Sequence, residues 1–107
     1  MLHQNLSEKH WFEFSLAQQL ANVGAEIGRS INWRSKNNLD YSRQAFWRGL
    51  ELLDLTIKDS QNKHGLKELC RLREMLIDYF YFDNEYKSSD EAWNKYFYPF
   101  NFLARKN

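Results

Sequence analysis

Arg73 lies where an arginine has to be explained. Leu66, Leu69, Cys70, Arg73, Leu76, Ile77 and Phe80 recur at helical spacing, so at about 100° per residue they share one side of a helix. A guanidinium in such a stripe must find acceptors, because an unpaired buried charge is strongly destabilising. The spacing therefore predicts Arg73 largely buried and hydrogen-bonded to backbone carbonyls or to a carboxylate, with Glu26, Asp54 and Asp83 as candidates. Glu74 and Asp78 stand one helical turn apart on the same segment. Carboxylates at that spacing can hold a metal or work as acid and base. With Lys67 and Arg71 beside them they read as a solvated charged face, and Glu51 with Asp54 reads the same way.

A second cluster is basic and aromatic. Between Arg29 and Arg48 the chain carries Arg29, Arg34, Lys36, Arg43 and Arg48 against Asp40 alone, with Trp33, Tyr41 and Trp47 interleaved. Guanidinium groups among rings can hold phosphates and stack bases. The competing reading is a helix–loop–helix corner with its basic side chains in solvent, and a net charge of +1 adds no long-range pull on a polyanion. His3, His10 and His64 are scattered, and none pairs with Cys or carboxylates at metal-ligand spacing. The sequence contains neither a glycine-rich phosphate loop nor a nucleophile elbow. Neither a metal nor a cofactor is expected. Cys70, the single cysteine, falls on the apolar stripe and is expected to be an inert core thiol. With no apolar leader or membrane span, the chain is expected to be cytoplasmic.

The elements that must position these groups are helical. Only four glycines and one proline interrupt 107 residues, and that length suits one domain, residues 1–107, with one core. Phe12, Leu16, Leu20, Val23, Ile27 and Ile31 mark a long first helix over residues 8–35, capped by Ser7. Inside it Gly24 and Gly28 imply close approach of another helix, or a bend. Trp11, Phe14 and Trp33 fall off its main stripe, to widen it or to meet a partner. Tyr41, Ala45, Phe46, Leu50, Leu53 and Ile57 define a second helix over residues 40–58, with Asn38 or Asp40 as its cap. Residues 59–65 are polar and read as a loop. The third helix, which carries Arg73, covers residues 66–82. Ser88 and Glu91 form a capping box for a fourth over residues 89–104, which Pro99 should kink or break. Short connections make neighbours antiparallel, so the expected fold is all-α, an up-down antiparallel four-helix bundle.

Eighteen residues are Trp, Tyr or Phe, and eleven of them follow Asp78, too many rings for one small core. Tyr79, Tyr81 and Phe82 point partly away from the third-helix stripe, and Tyr98 and Phe102 from that of the fourth. An exposed apolar patch marks a contact surface, and a symmetric homodimer is its commonest closed solution. The competing outcome is a monomer in which Pro99 folds the fourth helix's rings back over the bundle end.

A bundle of this size with an arginine on its third helix resembles the HEPN superfamily. There the arginine is often followed by Asn, then by a histidine four to six residues on, then by an aromatic. The stretch Arg73-Glu74-Met75-Leu76-Ile77-Asp78-Tyr79-Phe80 is similar. Arg73 takes the arginine's place, Leu76 and Ile77 that of an apolar pair, and Phe80 that of the aromatic. Glu74 stands where Asn or Asp is usual, and Asp78 where the histidine should be. The resemblance implies a binding module near Arg73 for RNA or a nucleotide, or a helical partner of a minimal nucleotidyltransferase, as in toxin–antitoxin pairs. It also implies a dimer. Active members cleave RNA without metal through the arginine and histidine. Asp78 cannot act as an imidazolium, so this chain is expected to be non-catalytic, with Arg73 binding or structural. The alternative is a homodimeric helical protein-interaction protein with no nucleic-acid role. An enzyme built on Glu74 and Asp78 ranks behind both.

Overall fold

Ser15 divides what the apolar spacing reads as one long first helix. Its side chain accepts the Gln18 N–H at 3.1 Å, while the Gln18 side chain accepts the Ser15 N–H at 2.8 Å. This reciprocal capping box starts a new helix. The computed structural model describes residues 8–105 and contains α1 (Glu8–Trp11), α2 (Leu16–Ser35), α3 (Leu39–Lys58), a 3-10 helix (Ser60–Gly65), α4 (Leu66–Tyr81) and α5 (Asp90–Arg105). The expected Ser7 cap lies outside the described residues. Among those residues there is no strand, and four main helices pack with antiparallel neighbours, as expected.

The break after α1 gives Trp11 a core position, so it widens the apolar face, the first of its two expected roles. It is buried, and its Nε1 donates to Thr56 Oγ1 at 3.2 Å. A polar knot forms around it. The Gln19 amide nitrogen donates to the Trp11 carbonyl at 3.1 Å and to Asp59 Oδ2 at 2.8 Å, and Asn62 donates to Gln19 Oε1 at 2.9 Å. Residues 60–65, read as a loop, are therefore ordered as a 3-10 helix, capped by Asp59. Burial pushes the Asp59 carboxyl up, but hydrogen bonds from the Gln61 and Gln19 side chains and the Gln61 N–H outweigh it and hold it below its usual value.

α2 packs closely against both α3 and α5, and α4 against α3. Val23 and Ile27 of α2, Ala45, Phe46 and Leu53 of α3, and Leu76 of α4 form the most deeply buried part of the core. Asn38 caps α3, accepting the Tyr41 N–H at 3.1 Å. Between α2 and α3, Ser30 Oγ donates to the Ser42 carbonyl at 2.8 Å, and Ser42 Oγ to the Ser30 carbonyl at 2.7 Å. Close approach of another helix occurs at Gly24, where a Cβ would sit 2.7 Å from the Phe97 side chain of α5. At Gly28 a Cβ would meet nothing within 4 Å, so a trough remains there.

Two expectations about helix ends change. α5 is capped by Ser89, which accepts the Ala92 N–H at 3.0 Å. Ser88 belongs to the preceding turn, where its N–H donates to Asn84 Oδ1 at 2.8 Å. α5 also continues through Pro99, which is exposed, to Arg105, so the proline does not break it.

Candidate functional site

The buried face of α4 is Leu69, Leu72 and Leu76, with Tyr79 and Phe80 half-buried beside it. At about 100° per residue, including Leu72 rotates the face away from Leu66, Arg73 and Cys70. Leu66 and Cys70 are accordingly exposed, which corrects the reading of Cys70 as a core thiol. Arg73 sits at the rim with its side chain 39% exposed, not largely buried. Its expected carboxylate partner is present: Nε donates to Asp54 Oδ1 at 2.7 Å. An exposed pair of this kind contributes about 0.2 to 1 kcal/mol, far below a buried one.

Asp78 departs from the solvated face in the other direction. It is 8% exposed, and its carboxylate accepts the Glu85 N–H at 3.0 Å and the Tyr86 N–H at 3.1 Å. It clamps the turn after α4 onto the helix. Both oxygens are engaged with backbone donors, so the residue at the signature histidine's position holds structure. Glu74 is exposed, and the Tyr86 hydroxyl lies 3.4 Å from its Oε2. Arg73, Glu74, Ile77 and Asp78 line an open groove of roughly 430 Å³ with Phe82, Asp83, Glu85 and Tyr86. Four carboxylates line it against one guanidinium, and that guanidinium is paired with Asp54. Such a lining is electrostatically unfavourable for a phosphate backbone. The turn residues Glu85 and Tyr86 were not legible as site residues, because the clamp joins Asp78 to backbone groups that no side-chain pattern marks.

The basic corner resolves into pairs. Arg29 and Arg48 converge on Glu26, at 3.2 and 3.3 Å, and Arg43 faces Asp40 at 3.6 Å. Arg34 donates to Asp90 Oδ1 at 3.0 Å, with its guanidinium 4.9 Å from the Tyr79 ring centroid and 4.6 Å from that of Phe80. Trp33 packs edge-on against Tyr41 at 4.9 Å, below the Lys36 ammonium. The structure brings Arg34 and Arg43 together on a wedge of roughly 210 Å³, lined also by Phe46, Phe80 and Tyr81.

The five aromatic residues expected at a dimer surface occupy three settings. Tyr79 is half-buried and its hydroxyl donates to Asp90 Oδ1. Burial raises its pKa, the Asp90 hydrogen bond and charge raise it further, and Arg34 opposes them. Tyr81 packs on Phe46 and Trp47 of α3 at 5.1 and 5.8 Å, and Phe82 beyond it is 71% exposed. Tyr98 and Phe102 meet edge-on at 5.1 Å on the outer side of α5. Tyr98 also borders the trough at Gly28, formed by Ala21, Gly24 and Ala25 of α2 and by Asn94 and Asn101 of α5. The paired glycines read as close approach of another helix, which holds at Gly24 and not at Gly28.

Among the described residues no three His, Cys, Asp or Glu side chains are grouped to hold a metal, and no helix is long and apolar enough to cross a membrane. The fold and its surfaces define an all-helical, compact bundle whose most exposed large apolar side chains are mainly aromatic. Comparison with protein families, with curated proteins and with solved structures finds no match to this chain.

Proposed function

We propose that this chain is a non-catalytic helical interaction module that works as a symmetric homodimer through α2 and α5. The observation that carries the reading is Tyr98, 61% exposed beside the open trough at Gly28. A two-fold axis seats each copy's Tyr98 over the other's trough, so one ridge and one groove make a self-complementary contact. Phe102 extends the apolar ridge, and the Asn94 and Asn101 amides supply polar partners at the rim. Light scattering on the eluted protein tests it: a dimer that Tyr98→Glu or Phe102→Glu separates is expected. A dimer split by Tyr81→Glu but not by Tyr98→Glu contradicts it and moves the interface to α4.

A second reading follows the HEPN resemblance: a module contacting RNA or a nucleotide, or docking a nucleotidyltransferase. The wedge at Arg34 and Arg43 favours it, since it sets two guanidinium groups, each also paired with a carboxylate (Asp90 and Asp40), beside Phe46, Phe80 and Tyr81. Titration with a nucleoside monophosphate checks it, and Arg43→Ala is expected to abolish any binding. On either reading RNA stays intact, because Asp78 is held by backbone donors. Metal-free RNA cleavage lost in Arg73→Ala contradicts the non-catalytic assignment.

A further inference from the structure

We infer that the groove along the C-terminal half of α4 docks a cationic amphipathic segment of a partner protein, with an apolar side chain seated between Phe82 and Tyr86 and lysine or arginine on either side. The site is separate from the α2–α5 surface and does not depend on it. Three features of the groove carry the inference. The first is apolar: Phe82, at 71%, is the most exposed of the large apolar side chains, and it lines the groove together with Ile77 and Tyr86. At roughly 430 Å³ the space lies within the range of about 300 to 1,000 Å³ that holds ligand groups. The second is charge. Glu74, Asp83 and Glu85 are exposed along the rim; of the cations beside it, Arg73 is engaged by Asp54 at 2.7 Å and Arg71 lies over the Tyr86 ring at 5.8 Å. A concave surface with a surplus of one sign concentrates the opposite charge.

The third feature is preorganisation. Asp78 fixes the backbone at Glu85 and Tyr86, and the Tyr86 hydroxyl reaches across to Glu74, so the wall stands before a partner arrives. The same features exclude other occupants. The carboxylates do not gather into a metal-binding group among the described residues. Nucleic acid and anionic membrane surfaces carry the wrong sign. A simple polyamine would leave Phe82 uncovered. A segment pairing one apolar anchor with basic neighbours satisfies both the rings and the rim.

Fluorescence anisotropy on the full chain tests this, with a short fluorescein-labelled peptide of leucine and lysine at helical spacing. The controls are its twin with glutamate for lysine and a single-stranded RNA oligonucleotide. The lysine peptide is expected to bind, more weakly as salt is raised, while the twin and the RNA do not compete for its site. Phe82→Ser and Asp83→Lys should each weaken binding at least about tenfold, the scale of losing one interface anchor. Far-UV circular dichroism should be unchanged, because both side chains are exposed. Glu85→Lys provides a second rim variant, which should weaken binding in the same direction. Absence of binding, binding indifferent to Phe82→Ser and Asp83→Lys, or displacement of the peptide by RNA overturns the inference.

Discussion

Asp78 stands where the resembling superfamily carries its histidine, and its hydrogen bonds state its role. Two backbone N–H groups depend on it, so Asp78→Ala should cost about 1.5 to 3 kcal/mol, read as a lowered urea midpoint. Arg73→Ala should cost less than about 1 kcal/mol, because both partners of its pair are exposed. The ranking inverts the sequence reading, in which Arg73 is the buried charge and Asp78 the solvated one. What was legible was that Arg73 needs a carboxylate, with Asp54 among the three candidates. Its depth was not, because residues at the edge of a helical stripe differ in burial according to where the neighbouring helix lies. Asp59 adds a pH dependence. Its folded pKa is depressed, so its contribution is present above the unfolded value of about 3.9 and is lost as pH falls through the folded value. Thermal unfolding from neutral to acid pH should therefore show a loss of stability that Asp59→Asn reduces.

At the scale of elements, periodicity located every main helix, while their ends and faces needed tertiary context. Ser15-x-x-Gln18 is a capping box in the sequence, but the apolar steps from Phe12 to Ile31 run straight across it and outweigh it. Ser88 and Ser89 are both suitable caps, and the turn anchored by Asn84 decides between them. On α4, Leu72 reorients the buried face and carries Cys70 out to solvent. The two glycines of α2 make a contrast that tests the packing. Gly24→Ala drives a methyl into Phe97 and should destabilise by about 1 to 3 kcal/mol. Gly28→Ala meets open space, so in the monomer it should stabilise by about 0.5 to 1 kcal/mol through helix propensity. Equal effects at the two positions, in urea titrations under monomeric conditions, would contradict the arrangement of α5 on α2.

For the whole molecule, composition declared an excess of rings over core volume but not where the surplus goes. Phe46, Trp93 and Phe97 enter the core, Tyr79 is tied to Asp90, and Phe82, Tyr98 and Phe102 remain outside. The last two share the outer side of α5, and Tyr98 lines the trough at Gly28. The pairing of ridge and trough is the central claim, and mass in solution tests it most directly. Sedimentation equilibrium at micromolar concentration should give a species near twice the chain mass of 13.0 kDa. Gly28→Arg, which puts a long charged side chain into the trough from a Cβ that itself meets nothing within 4 Å, should return it to 13.0 kDa. A parent chain that sediments at 13.0 kDa, or a dimer that Gly28→Arg leaves intact, would contradict the account.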